Sequence, residues 1–204
     1  MIIVPKASGE GLQVDTAAPT FPWRDIIGLQ LYDSVGVNAP ALTVFRGGNC
    51  RALKFALNDR KDYIFHIPHD YAPGTDVLAH LHWFHNGTAI IGNASFRLDY
   101  SYAKGHNQAI YPAEKQQTAT YPTTDIATTP QYRHRIDEVA VSSAGGSATL
   151  MDRGLFEPDG IVALAIALTS LPTIVGGDLF IHTADLHYQS TGYGTKQKSP
   201  NFYV

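Results

Sequence analysis

The chain has 204 residues, 44% hydrophobic and 11% aromatic but only 16% charged, with a formal net charge of −3. That length suits one domain with a sizeable core, with or without long arms, and so slight a charge excludes a dedicated nucleic-acid binder, which would carry a basic stripe against phosphates. A single cysteine, Cys50, excludes an internal disulfide and a Cys/His zinc framework, so folding does not depend on oxidation.

Residues 1–24 mix Pro, Gly and small polar residues without sustained periodicity and read as an extended arm carrying one aromatic anchor, Trp23. The opening Met1-Ile2-Ile3-Val4-Pro5-Lys6 lacks a basic segment followed by a long apolar one, so export by the standard route is not expected. From there on, short segments with period-2 alternation recur between turn-rich stretches, the pattern of strands with one buried face. They are Ala41–Phe45, Arg51–Leu57, Tyr63–Ile67, Asp76–His85, Ala94–Ala103, Tyr132–Val141, Ile161–Leu168 and Asp178–Gln189. In the fifth, Phe96, Leu98, Tyr100 and Tyr102 share one face while Arg97, Asp99 and Ser101 share the other. In the last, alternation sets Phe180, His182, Ala184, Leu186 and Tyr188 against Leu179, Ile181, Thr183, Asp185 and His187. Gly105–Gln131, polar and punctuated by Pro112, Pro122 and Pro130, reads as a surface excursion or an oligomer-contact loop. Thr149–Phe156 reads as a helical turn or a short strand, and no window of about 12 residues carries a helical stripe. Ile161–Leu168, the longest apolar run, stops far short of the roughly 20 residues that span a bilayer, so no membrane span is expected.

Strands without intervening helices predict an all-β fold, an antiparallel β-sandwich of jelly-roll type, and the uneven connections argue against an up-and-down barrel. The expected organisation is an N-terminal arm over 1–24, the sandwich over 25–189, and a C-terminal arm over 190–204 that ends in the aromatic pair Phe202-Tyr203. No second domain is expected. A weakly charged, Tyr-rich surface with aromatic-tipped arms suits a chain packed against other subunits, and Trp23, Phe202 and Tyr203 are the candidate interface anchors. The other possibility for each is packing on its own domain.

One segment carries a metal-like pattern. Gly74 followed by five residues and then His80-Leu81-His82 matches the opening of the cupin metal motif, and two His at i and i+2 on a strand share a face. The carboxylate expected four or five residues further on is missing, because that stretch reads Trp83-Phe84-His85-Asn86-Gly87. Asp185 and His187 share a face on the last strand and would complete a site with His80 and His82 if the two strands meet. The competing reading is that these side chains are half-buried sheet residues hydrogen-bonded across strands, and no cofactor is expected. Catalytic signals are thin. No GxSxG elbow, phosphate-binding loop or dinucleotide fingerprint is present, and Gly145-Gly146 and Gly176-Gly177 read as turns. Cys50 reads as structural, and Arg133-His134-Arg135 beside Asp137-Glu138 as a solvated charge run.

Three pieces in order, His80-Leu81-His82-Trp83, then Phe96 through Gly105, then Asp185-Leu186-His187-Tyr188-Gln189 leading to Gly194-Thr195-Lys196-Gln197-Lys198-Ser199-Pro200-Asn201-Phe202-Tyr203, together resemble a group of small virion proteins of tailed bacteriophages. The similarity runs over roughly residues 70–204 and departs from the group in the Thr/Pro-rich stretch 105–131. What it implies is a non-enzymatic structural protein of the virion, assembled in the host cytoplasm, serving as capsid decoration or cement or as a head-associated subunit. The implied partners are other particle proteins, such as the major capsid protein or head and tail components, with a homo-oligomer, for instance a trimer, and neither nucleic acid nor membrane. Two alternatives stand beside it: a tail-associated receptor- or carbohydrate-binding module, and a cupin-like metal enzyme.

Overall fold

The computed structural model describes residues 3–5, 12–14, 21–31, 38–121, 130–195 and 197–202. The strands in chain order are β1 (Ile3–Pro5), β2 (Leu12–Val14), β3 (Trp23–Ile27), β4 (Leu29–Gln30), β5 (Ala41–Val44), β6 (Arg51–Phe55), β7 (Arg60–His66), β8 (Val77–His85) and β9 (Ala89–Ile91). They continue with β10 (Ala94–Ala103), β11 (Lys115–Tyr121), β12 (Arg135–Ala140), β13 (Ser142–Ser143), β14 (Met151–Asp152), β15 (Ile161–Ser170), β16 (Thr173–Val175) and β17 (Leu179–Gln189). Among the described residues the one helical element is a 3-10 turn at Arg153–Leu155, and no helix is long and apolar enough to cross a membrane.

Two sheets form the body. One has the order β11-β10-β15-β7-β4; the other has the order β12-β8-β17-β6-β5, with β3 also pairing β17. Taking β6, β7, β8, β10, β11, β12, β15 and β17 as strands one to eight, the sheets read 1-8-3-6 and 2-7-4-5, all neighbours antiparallel. That is the order produced by two Greek keys folded into a jelly roll. The expected antiparallel β-sandwich of jelly-roll type is therefore the observed fold.

Burial explains the pairing. Each strand contributes its apolar face to one core between the sheets: Tyr63 and Phe65 from β7, Phe96, Leu98, Tyr100 and Tyr102 from β10, and Val162, Leu164, Ile166 and Leu168 from β15 on one side. Val77, Ala79, Leu81 and Trp83 from β8 and Leu179, Ile181, Ala184, Leu186 and Tyr188 from β17 meet them. Because successive residues face opposite ways, this choice of inward residues fixes which side chains cover the outside. Trp83 satisfies its ring N–H on Asp137 Oδ2 at 2.6 Å and lies under the Arg135 guanidinium, 5.3 Å from the ring centre, so the run 133–138 is tied to the domain and is no free charge cluster.

Three local features depart from the sequence expectations. The strand β3 takes Trp23 and Arg24, assigned to the N-terminal arm, into the sheet through Gln189↔Trp23 and Tyr188↔Arg24. The loop expected over 105–131 contains β11, whose seven residues pair with β10 from Tyr100↔Lys115 to Ala94↔Tyr121. Its Gln- and Thr-rich composition hid the strand because one face of this edge strand is solvated. Third, β17 carries a bulge: Ile181 opposes Trp83 but Thr183 opposes His82, so one extra residue sits in β17. The bulge switches parity, which puts Leu179, Ile181, Ala184, Leu186 and Tyr188 in one core and separates Phe180 and His182 from the face that strict alternation assigns them. The segment Thr149–Phe156 is a short strand followed by the 3-10 turn.

At Gly28 the chain passes from β3 in one sheet to β4 in the other, its N–H donating to the Ala184 carbonyl at 3.1 Å. A Cβ there would come within 2.6 Å of the Phe65 ring, so the crossing requires a residue without a side chain.

Replacing Trp83 by Ala removes the largest fully buried side chain and one of the donors to Asp137, which keeps its pair with Arg135. The expected loss is about 3–5 kcal/mol of unfolding free energy, read as a lowered denaturant midpoint with an unchanged slope.

Candidate functional site

The outer face of the β12-β8-β17-β3 sheet gathers most of the histidines. The ladders set Glu138, His80 and Asp185 abreast across β12, β8 and β17, and place His187 opposite Asp25 of β3. All four sequence-predicted metal residues, His80, His82, Asp185 and His187, therefore meet. His82 Nε2 lies 2.6 Å from Asp185 Oδ2, and His80 Nδ1 lies 3.1 Å from Asp185 Oδ1. His80 Nε2 is 3.1 Å from Glu138 Oε2 and 3.0 Å from His187 Nδ1, which is itself 3.5 Å from Asp25 Oδ1. These contacts carry the cross-strand hydrogen bonding expected of half-buried sheet residues, and two residues join that the sequence reading placed elsewhere.

His134, read as part of a solvated run, presents Nε2 to His82 Nδ1 at 2.9 Å and stacks its ring on that of His82. His182 is turned outward by the bulge onto Phe45 and Phe84 and meets the His134 ring edge-on. Burial, joined by the charge of His82 on His134 and of His134 and His82 on His182, holds both below the ordinary histidine value. Asp185 is 5% exposed, and burial pushes its carboxyl above the usual range despite the opposing pull of His82 and His80. No sequence signal could have found His182, because only the extra residue in β17 gives it this face.

The candidate anchors fare differently. Trp23 is 46% exposed with its ring edge-on to His187, so it borders the histidine face. Phe202, a candidate anchor for which packing on its own domain is the other possibility, is 3% exposed against His69 and His106. Tyr203 lies outside the described residues. Cys50, read as structural, is exposed.

A second histidine group lies under Phe202. Asp159 accepts from His106 Nε2 on Oδ2 at 2.7 Å and from His69 Nε2 on Oδ1 at 2.9 Å, with His66 Nε2 3.3 Å from Oδ1. His69 Nδ1 pairs with Thr195 Oγ1, tying the C-terminal segment to this cluster. Burial alone would raise the Asp159 carboxyl, but the hydrogen bonds of His106 and His69 and the charges of His69 and His66 outweigh it and hold it below its ordinary value. A separate apolar groove, floored by Tyr100 and Tyr102 and walled by Pro112, Met151 and Leu155, is lined by neither His nor Cys.

A carboxylate favoured in its ionised form by the fold stabilises the protein above its unfolded pKa and loses that contribution as pH falls through its folded one. Wild-type protein is therefore expected to lose stability as pH drops below 3.8 more steeply than Asp159→Asn, in thermal melts taken as a function of pH. Asn keeps the positive φ of 62° tolerable, so the comparison removes the titrating carboxylate without straining the backbone.

No family model matches the chain, and no curated protein matches it. Among solved structures it is similar to a family 28 carbohydrate-binding module specific for non-crystalline cellulose, at 11% identity over 73% of this chain and 78% of that one, with a TM-score of 0.33. It is similar to a family 61 module in complex with β-1,4-galactotriose, at 16% identity over 82% and 89% of the two chains, TM-score 0.29. It is also similar to the family 11 module from Clostridium thermocellum in complex with a β-1,3-1,4-mixed-linked tetrasaccharide, at 11% identity over 87% and 94%, TM-score 0.34. Those ligands are properties of those proteins.

Proposed function

We propose that the chain is a non-catalytic jelly-roll subunit of a virion, a capsid-decoration or other head-associated component that binds particle proteins and copies of itself along one flank of the sandwich. The observation that carries this reading is the character of that flank. Among the described residues β4 and β5 are the outermost strands beside β7 and β6, and since β6 and β7 are joined by the tight turn at residues 56–59, these two edges lie on the same side. Ile27 is 75% exposed, Leu29 67% and Leu42 61%, with Leu31, Val44 and Leu57 also exposed beside them.

A solitary β-protein protects such edges with charges, prolines or short bulged strands, since unpaired N–H and C=O groups next to apolar side chains invite another chain. Here β4 (Leu29–Gln30) and β5 (Ala41–Val44) carry no charged residue. A run of apolar side chains along two open edges suits association by strand addition and burial of leucines. The resemblance to tailed-phage virion proteins supports the setting: His80–Trp83 lies on β8, Asp185–Gln189 on β17 and Phe96–Ala103 on β10, all central strands.

Light scattering on the purified chain tests the reading. The wild type is expected as a closed oligomer at micromolar concentration, and the Leu29→Lys/Leu42→Lys variant as a monomer whose circular dichroism spectrum shows the same fold. Each leucine buried at an interface contributes roughly 1.5–3 kcal/mol, so the pair should weaken association on the order of 100-fold or more. A wild type that stays monomeric and binds isolated phage capsids no better than the variant would overturn the proposal.

A further inference from the structure

We infer that His80, His82 and Asp185 form a binding site for one divalent transition-metal ion on the outer face of the β8–β17 ladder. Their ligand atoms, one from each residue, lie within 4.8 Å of one another. This inference is independent of the assembly reading, because the flank used there lies at β4 and β5.

The decisive group is Asp185 Oδ1, which is buried and accepts no hydrogen bond. Its nearest polar neighbour is His80 Nδ1 at 3.1 Å, out of line for a hydrogen bond. On the far side of the same ring, His80 Nε2 faces Glu138 Oε2 at 3.1 Å and His187 Nδ1 at 3.0 Å, so a proton on Nε2 finds an acceptor there. With the ring proton on Nε2, the lone pair of Nδ1 faces a lone pair of Oδ1, and two acceptors facing each other in a buried position are unfavourable unless a proton or a metal ion lies between them. For a tetrahedral ion bound at about 2.0–2.1 Å, ligand atoms stand about 3.3 Å apart, close to the 3.1 Å between His80 Nδ1 and Asp185 Oδ1.

The surroundings have the form that metal-bound histidines take. A ligating imidazole commonly donates its other N–H to a carboxylate or another acceptor, which orients the ring and strengthens it as a ligand. Glu138 plays that part for His80. His134, whose Nε2 is 2.9 Å from His82 Nδ1, plays it for His82 and leaves His82 Nε2 to face Asp185 Oδ2 at 2.6 Å. Asp25 Oδ1, 3.9 Å from His80 Nδ1, stands next as a further oxygen donor, and His187 Nδ1 is 3.5 Å from that oxygen. Two imidazoles with a carboxylate suit zinc and its first-row neighbours, whereas calcium and magnesium favour all-oxygen sets. An ion here would bind β8 to β17 and leave its remaining positions open to water or to a donor from a neighbouring molecule.

Titration of ZnCl2 into metal-free full-length protein, followed by calorimetry, with Co2+ absorption in parallel, tests the site. The expected result is one equivalent per chain and tetrahedral Co2+ bands in the visible. Affinity should fall on the order of 100-fold in His82→Ala and in Asp185→Asn and stay unchanged in His69→Ala, which alters the other histidine group. Circular dichroism shows whether the variants fold. Glu138→Gln, at an exposed position that acts only through His80 Nε2, provides the milder test and should weaken binding about tenfold. Absence of uptake by the wild type, or uptake that none of the His82, Asp185 and Glu138 variants diminishes, would overturn the assignment.

Discussion

The antiparallel register between β8 and β17 is the constraint from which both the core and the histidine face follow. Once Ile181 lies opposite Trp83 and Leu186 opposite Ala79, the inward residues of both strands close on the apolar faces of β10 and β15. The same pleat then has no choice about the outside: His80 and Asp185 must stand side by side, and Glu138 must join them from β12. A slip of one residue would put histidines in the core and leucines in water, a cost of several kcal/mol that ties the register to the hydrophobic pattern.

The bulge in β17 reconciles two demands that a regular strand could not meet. Toward its start the strand must bury Leu179 and Ile181, and toward its end Ala184, Leu186 and Tyr188, sets of opposite parity in sequence. One extra residue absorbs the mismatch, and its by-product is His182 on the outer face beside Phe84 and His134. Packing there is aromatic as well as polar. Phe180 and Phe84 stack at 5.0 Å to form a small outer cluster with Ala52, next to the imidazoles. The outer face thus combines a rigid aromatic floor with titratable groups, a preorganised arrangement for gripping an ion or a partner group.

Two surfaces of different physics result. The flank at β4 and β5 exposes Leu29, Leu42 and Val44 on two short strands without charged residues, so its surface is apolar area rather than directional chemistry. The histidine face is compact, polar and partly desolvated, so what it holds is selected by charge and coordination geometry. Elsewhere, His69 and His106, both held by Asp159, pack on Phe202, which makes this C-terminal residue part of the domain's own packing.

Period-2 alternation by itself determined, to within a few residues, strands such as Ala94–Ala103 and Val77–His85, because a strand with one buried face must alternate whatever it pairs with, and the uneven connections between them pointed to a jelly roll. It also determined that His80 and His82 share a face. It could not reveal β11, whose Gln and Thr residues alternate only in burial, nor Trp23 as a sheet residue, since β3 is short and is held by pairing with β17. Nor could it recruit His134 and His182, which reach the site through a strand entry and a bulge. Those depend on which strands meet and in what register, a matter of long-range burial that no local pattern encodes; only the tertiary structure decided that Asp185 lies against two imidazoles with an oxygen left unsatisfied.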